Sequence, residues 1–256
     1  MERWQQMLKT RWMGRPAAIC EKTLPSTNIC LKEAARQGAP HGTVCLAETQ
    51  TAGRGRLGRS WFSPPGRGLW VSALIRPQMP MERWPHLTLA AALAMGRAVE
   101  KQGAQPAIKW PNDLVLQGKK ICGILLEMGP GFVVVGTGLN LRPGSYPDEL
   151  KGKAASLEEI LKAPVNRDAV LADYLFFLEE AVAALEAKGL EGIREDYEQR
   201  SCTLGREVVV SGGMEARGRA EALDQDGALI LRLPTGEICR VLAGDVSVRG
   251  VMGYAE

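Results

Sequence analysis

Three segments of the chain combine residue types and spacings that could do chemistry. They are Gly53-Arg54-Gly55-Arg56-Leu57-Gly58-Arg59-Ser60-Trp61, Lys109-Trp110-Pro111-Asn112-Asp113 and Lys120-Ile121-Cys122-Gly123-Ile124-Leu125-Leu126-Glu127. In the first, arginines are separated by glycines, a pattern that no apolar core accommodates. Glycine lets the backbone take positive φ and come close to a ligand. Each guanidinium offers permanent charge and a fork of donors matched to carboxylate or phosphate. Such a loop suits an anion. It runs on into Trp61-Phe62-Ser63-Pro64-Pro65, an aromatic wall. An arginine loop beside such a wall suits a lid that closes over an anionic ligand.

The other two segments supply lysines. The turn at Gln117–Lys119 folds the chain so that Asn112 returns to the neighbourhood of Gly123. Lys109 and Lys120 are then expected on adjacent strands, with Asn112-Asp113 between them. Strand alternation puts Lys120 on the face of Cys122 and Ile124. Singly, each residue has an ordinary reading: an edge lysine whose head reaches water, or a turn after proline. Together, two cations around a gap left by Gly123 suit a developing anionic centre.

Ser26-Thr27-Asn28 fits a helix cap, and the same hydroxyls, amide and backbone N–H groups could hold a polar ligand head. Val135-Gly136-Thr137-Gly138-Leu139-Asn140 lacks the third glycine and the following helix of a dinucleotide fingerprint, so that reading is rejected. Glycines at alternate strand positions instead leave one face flat enough for a ligand to lie on the backbone. His41 and His86 are far apart, have no evident partners and form no zinc spacing. None of the six cysteines forms a C-x-x-C pair, which suits a reducing compartment.

These segments need a fold to hold them. A chain of 256 residues with net charge +3 can bury a large core without staples, and it lacks the strong basicity of a dedicated nucleic-acid binder. No signal peptide and no membrane-spanning apolar run is present, so a cytoplasmic location is expected. Residues 1–16 read as a short helix or arm. Strands are expected at Ala17–Lys22, Val44–Ala47, Leu69–Ile75, Ala107–Trp110, Leu114–Gln117, Lys120–Met128 and Phe132–Leu141, the last four as an antiparallel meander. Helices are expected after Ser26, at Leu87–Gln102, near Ser156–Leu161 and at Asn166–Lys188, the last ended by Gly189, with another short helix running to about Arg200. The long one has its buried stripe at Val170, Tyr174, Leu178, Val182 and Leu185. From Gly205 the texture changes to short strands at Arg206–Ser211, Arg217–Leu223, Ala228–Leu233 and Glu237–Leu242, with turns at Gly212-Gly213, Asp226-Gly227 and Pro234–Gly236. A boundary near Ser201–Leu204 divides the chain into residues 1–203 and a small β-barrel at 204–256.

With these residues laid out, the chain resembles the biotin protein ligase family from about Pro25 onward. The GRGRxGRxW-type loop, the KWPND segment and the K-x-x-GIL-x-E strand all occur, in order. The resemblance implies an α+β fold: a mixed, largely antiparallel sheet packed with helices, of the class II synthetase type, followed by an SH3-like barrel. It implies ATP, biotin and Mg²⁺, and a biotin carboxyl carrier protein as acceptor. Implied biotin contacts are Ser26, Thr27, Asn28, Gln50, Gly53, Arg54, Arg56, Trp61, Lys120, Gly123, Gly136 and Gly138. Implied nucleotide contacts are Arg54, Arg56, Arg59, Trp61, Lys109, Asn112 and Asn140. Lys109, Lys120, Arg56 and Asn112 are implied to do the catalysis. Some relatives carry a DNA-binding segment ahead of the catalytic part. Only sixteen residues precede Ala17 here, so no DNA partner is expected. Some also place a tryptophan against the adenine near Ala154-Ala155-Ser156, where this chain has alanine. Exposed strand edges leave a homodimer open.

The implied chemistry suits the residues. Activating a carboxylate with ATP brings two anions together, and fixed cations lower that repulsion most where water is excluded. In the transfer step the acceptor lysine must lose a proton. With an ordinary pKa near 10.4, about one lysine in a thousand is neutral near pH 7.4, and Asp113 is a candidate proton acceptor. Two other readings stand beside this one. A lipoate or octanoate transferase is disfavoured by the lack of a loop histidine and of an RRxSGG pattern. A non-catalytic biotin-sensing module is disfavoured by the intact lysines.

Overall fold

The computed structural model describes residues 3–211, 214–242 and 245–248. The main sheet has seven strands: β1 (Ala18–Leu24), β2 (Val44–Gln50), β3 (Gly68–Ile75), β4 (Ala107–Lys109), β5 (Asp113–Leu116), β6 (Lys119–Gly129) and β7 (Phe132–Asn140). Their order is β1-β2-β3-β7-β6-β5-β4. Only β1 and β2 run parallel, and the other neighbours are antiparallel. The mixed, largely antiparallel sheet expected from the sequence is therefore present. Local chemistry accounts for both arrangements. A parallel pair needs a crossover, and helix α2 (Thr27–Arg36) supplies it between β1 and β2. β5 and β6 are joined by Gln117 and Gly118, both at positive φ (51° and 74°), the two-residue turn that suits strand twist.

Helices cover both faces. With α1 (Arg3–Met7) at the N-terminus, α3 (His86–Glu100) and α5 (Arg167–Lys188) pack on each other and on one face of the sheet, forming the main core. All five residues of the expected α5 stripe are buried, and Tyr174 Oη meets Thr137 Oγ1 of β7 at 2.7 Å. On the other face α2 closes a smaller core of Leu31, Ala35, Cys45, Leu74, Phe132 and Val134. Because helices lie on both sides, β3 and β7 are buried along their whole length. Trp4, Leu8 and Met13 of the N-terminal arm are buried in the main core. Helix α4 (Leu157–Leu161) starts at a capping box made by Ser156 and Glu159.

After α6 (Arg194–Gln199), five strands make a second antiparallel sheet of SH3-like type. They are β8 (Glu207–Ser211), β9 (Ala216–Leu223), β10 (Leu229–Arg232), β11 (Ile238–Val241) and β12 (Asp245–Val248), in the order β11-β10-β9-β8-β12. β12 was not expected, since four residues of alternating pattern do not stand out from a loop. The expected Gly212-Gly213 turn lies outside the described residues. The second sheet is fastened to the first by buried bonds: Trp110 Nε1 donates to Gly227 O at 3.0 Å, and Trp110 N to Thr203 Oγ1 at 2.9 Å. His41, for which the sequence shows no evident partner, has a structural place in the fold. Its Nδ1 accepts from Arg76 N at 2.9 Å, and its ring lies 3.9 Å from that of Trp12. Among the described residues no helix is long and apolar enough to cross a membrane.

Candidate functional site

The N-terminus of α2 faces the end of β2. Ser26 takes the N-cap position, yet its side chain makes no capping bond. The orphan N–H of Thr27 is met instead by Gln50, whose Oε1 accepts it at 2.9 Å. Gln50 Nε2 in turn donates to Ser63 Oγ at 2.9 Å, which fixes the amide. Asn28 lies flat on β7, and a Cβ at Gly136 would stand 2.2 Å from Asn28 Oδ1.

The Gly/Arg loop leaves β2 and closes on itself. Trp61 N donates to Gly53 O at 2.9 Å, and Gly55 N to Arg59 O at 2.7 Å. Leu57 sits at φ 54°. The loop delivers Trp61 across the sheet, where its indole covers two more glycines. A Cβ at Gly138 would come within 2.3 Å of Trp61 Nε1, and one at Gly123 within 2.8 Å of the ring. Asn28 and Trp61 thus lie against the flat glycine face, and Gly123, Gly136 and Gly138 still line the cavity. Lys120 Nζ lies 5.2 Å from the Trp61 ring centroid. Arg56 reaches from the loop to Asn112, donating to its Oδ1 at 2.8 Å, while Asn112 Nδ2 donates to Ile124 O at 2.9 Å.

The lysines gather around Asp113. Lys120 Nζ stands 2.6 Å from Asp113 Oδ1, and Lys109 Nζ 3.7 Å from Asp113 Oδ2. Two expectations need correction. Lys109 and Lys120 are not on adjacent strands, because β5 runs between β4 and β6. Nor does Lys120 share a face with Cys122 and Ile124. The register shifts between Leu114↔Cys122 and Val115↔Lys120, leaving Ile121 as an extra residue in β6. That bulge turns Lys120 to the face of Asp113 while Cys122 and Ile124 stay in the core. Burial pushes the Asp113 pKa up, but Lys120, Lys109 and Arg56 outweigh it and hold the carboxyl below its ordinary range. Such a group stays charged and binds a proton poorly, which argues against Asp113 as the base. Against one carboxylate, three cations leave the site positive.

The Thr27–Gln50 group, Arg56 with Asn112, and the lysines with Asp113 open on one cavity of about 390 Å³. Of the residues named from the sequence, every one except Gly53 lines it. Gly53 instead lies under the returning loop, where a Cβ would meet Trp61 O at 2.5 Å. Asn140, at the end of β7, donates through Nδ2 to Ala155 O at 3.3 Å. Tyr146, Glu149, Leu150 and Lys153 also line the cavity and were missed. They belong to the irregular stretch after β7, which carries no periodic signal. Ala154 lines it too, so the alanine noted in the sequence does face this space. Among the described residues no cluster of three or more acidic, histidine or cysteine side chains could cage a metal.

A polar pocket, an arginine loop and paired lysines meet on one mixed sheet, an arrangement suited to stabilising negative charge that develops on a bound acid. Known proteins bear this out. Residues 20–140 match the Biotin/lipoate A/B protein ligase family, and residues 203–249 the Biotin protein ligase C terminal domain. The Bifunctional ligase/repressor BirA of Bacillus subtilis is 35% identical over 252 residues, covering 94% of this chain and 76% of that protein. The Biotin–[acetyl-CoA-carboxylase] ligase of Mycobacterium tuberculosis is 37% identical over 229 residues, covering 86% and 85%. The biotin protein ligase from Aquifex aeolicus, solved in complex with biotin and ATP, superposes with a TM-score of 0.81 at 32% identity, covering 91% of this chain and 98% of that one. The chain belongs to the biotin protein ligase family.

Proposed function

We propose that this chain is a biotin–[biotin carboxyl carrier protein] ligase. It condenses the biotin carboxylate with the α-phosphate of ATP, releasing pyrophosphate and forming biotinyl-5′-AMP. It then passes the acyl group to a lysine amine of a carrier protein, releasing AMP. The observation that carries this reading is one cavity lined both by the neutral polar groups of Ser26, Thr27, Asn28 and Gln50 and by Lys109, Lys120 and Arg56.

In this reading Ser26, Thr27, Asn28 and Gln50 hold the biotin head, and Trp61 with Gly123 and Gly138 borders the tail. Lys109, Lys120, Arg56 and Asn112 surround the meeting point of carboxylate and phosphate, where fixed donors lower the barrier without reorganising. Arg54, Arg59 and Asn140 serve the nucleotide, and Tyr146, which lines the cavity, offers an aromatic side chain for the adenine. Gly53 acts through the loop's shape. Mg²⁺, arriving with ATP, supplies charge neutralisation of the phosphates. Asp113 spaces the lysines. No residue forms a covalent intermediate, and the mixed anhydride is shielded from water by the loop.

Residues 1–203 form the catalytic part and residues 204–256 the SH3-like part. The acceptor is a biotin carboxyl carrier protein, and the setting is the cytoplasm. The deciding assay is acid-dependent exchange of labelled pyrophosphate into ATP. Exchange with biotin alone is expected. Exchange with lipoate alone would replace this reading by the lipoate one, and silence with both would leave a binding module.

A further inference from the structure

A second cavity, of about 180 Å³, adjoins the first. Arg56, Trp110, Ile124 and Leu125 line both, so the same side chains wall the two. The rest of its lining includes Pro85, His86 and Leu89 around the start of α3, Pro111 after β4, Leu126 of β6 and Leu242 just past β11. It is smaller than the roughly 300 Å³ at which small-molecule sites begin. Its size suits one side chain, and its wall is mostly apolar.

His86 is the polar exception. It is 3% exposed, and neither ring nitrogen makes a well-formed hydrogen bond among the described residues. Burial lowers its pKa and outweighs the opposite pull of the Asp226 backbone and of the Asp226 and Asp224 charges, so the ring is neutral at pH 7. A neutral imidazole carries one N–H and one lone pair. The N–H has the Asp226 backbone close by, while the lone pair has no donor. A buried acceptor left empty costs about 1–3 kcal/mol, which a donor entering the cavity recovers. A cation is a poor choice for that donor. The Asp226 carboxylate is engaged by Arg240, and the Arg56 charge borders the space. Burial and a positive neighbour both favour the neutral form of an amine.

We propose that this second cavity receives the side chain of the acceptor lysine, with its stem on the apolar wall and its amine at His86, which takes the amine proton during transfer. The inference rests on the ligase reading and deepens it by naming where the acceptor enters. Lysine has a four-carbon stem and one polar head, which matches an apolar wall with one open acceptor. As the amine nitrogen attacks the acyl carbon of biotinyl-5′-AMP, the N–C bond forms and the C–O bond to the phosphate breaks. AMP leaves with that electron pair. The surplus proton of the amine passes to His86 and from there to water. A base of this kind is neutral before the step, as a proton acceptor must be.

The test separates the two half-reactions on the full chain. His86→Phe keeps a ring and removes both nitrogens. Transfer from pre-formed biotinyl-5′-AMP to the carrier protein is expected to slow about a hundred-fold, while biotin-dependent pyrophosphate exchange and Tm hold. Hydroxylamine, a nucleophile too small to need the cavity, should take biotin from the bound adenylate equally fast in both proteins. Leu242 is 67% exposed, so Leu242→Asp leaves the fold intact. It is expected to raise KM for the carrier about ten-fold with kcat unchanged. Normal transfer by His86→Phe, an equal slowing with hydroxylamine, or an unaltered carrier KM in Leu242→Asp would overturn the site. Should His86→Phe not fold, Leu242→Asp decides alone. An unaltered chain that makes no biotinyl-5′-AMP refutes the ligase reading itself, whereas normal adenylate formation with either failure above refutes only the acceptor site.

Discussion

Asp113 is a buried carboxylate held between two ammonium groups, with Lys120 Nζ at 2.6 Å and Lys109 Nζ at 3.7 Å. Removing its charge leaves both lysines to repel each other in a poorly hydrated place. Asp113→Asn is therefore expected to lose about 3 kcal/mol of stability, the scale for breaking a buried pair from one side. Its folded pKa is depressed, so its contribution is present above the ordinary carboxylate value near 3.8 and fades as pH falls through that value toward the folded one. Urea unfolding at pH 7 and pH 3 checks both points: the gap between wild type and variant should shrink at the lower pH. In kinetics, adenylate formation should fall at least as much as transfer from pre-formed adenylate. A selective loss of transfer would restore Asp113 as the base.

Trp61 can lie on β7 only because residue 138 has no side chain, a Cβ there coming within 2.3 Å of its Nε1. Gly138→Ala must push the indole, and the loop end with it, away from the sheet. Fluorescence emission of the variant is expected to shift to the red as Trp61 meets water. KM for biotin should rise about ten-fold while the melting temperature moves little, because strands tolerate alanine where glycine stood. An unshifted spectrum with normal KM would mean that Trp61 is not held by this contact.

Much of this site was legible in the sequence, and the failures have physical causes. Short turns at Gln117-Gly118 and Gly131 announce the meander, since positive φ and Gly are strong local signals. The α5 stripe was readable because a helix repeats its face at regular spacing. Lys120 was assigned to the wrong face because a bulge at Ile121 breaks strand alternation without any marker residue. The glycines of β7 were seen as a flat platform, but which side chain lies on each depends on α2 and the Arg loop, which approach from elsewhere in the chain. Tyr146 and Glu149 reach the cavity from an irregular segment, where spacing carries no information. Glu127 was quoted within a motif, yet its partners Asn28 and Lys32 are nearly a hundred residues away and visible only in three dimensions.

Arg56 spans from the loop to Asn112 at 2.8 Å and so ties the lid to the turn between β4 and β5, which separates Lys109 from Asp113. Loss of this tie should free the lid more than it weakens the polar end of the cavity. For Arg56→Gly, dissociation of pre-formed biotinyl-5′-AMP is expected to quicken by one to two orders of magnitude, about the effect of a charged hydrogen bond worth ~1.5–3 kcal/mol. Biotin affinity without ATP should change by only about three-fold, a few tenths of a kcal/mol up to ~0.7 kcal/mol. Stopped-flow release of labelled adenylate gives the comparison. An unchanged off-rate removes the protective role of the loop.

Glu179 fastens the N-terminal arm to α5. Its carboxylate accepts from the backbone N–H of Arg11 at 2.8 Å and of Trp12 and Met13 at 2.9 Å. Burial pushes its pKa up, but these donors and the Arg11 side chain outweigh that and hold it below the ordinary value of 4.5. The tether is therefore fully present above pH 4.5 and weakens as pH falls below it toward the folded pKa. Glu179→Gln replaces one acceptor oxygen by an amide that points its own donors at N–H groups. That is expected to cost about 2 kcal/mol and to expose Arg11 and Arg15 to trypsin at neutral pH. Hydrogen exchange at Arg11, Trp12 and Met13 reads the tether directly. In the wild type, protection of these amides should decline in acid once exchange rates are corrected for pH. In the variant it should be low at every pH. Equal protection in the two proteins at pH 7 would show that the buried Trp4, Leu8 and Met13 hold the arm without the carboxylate.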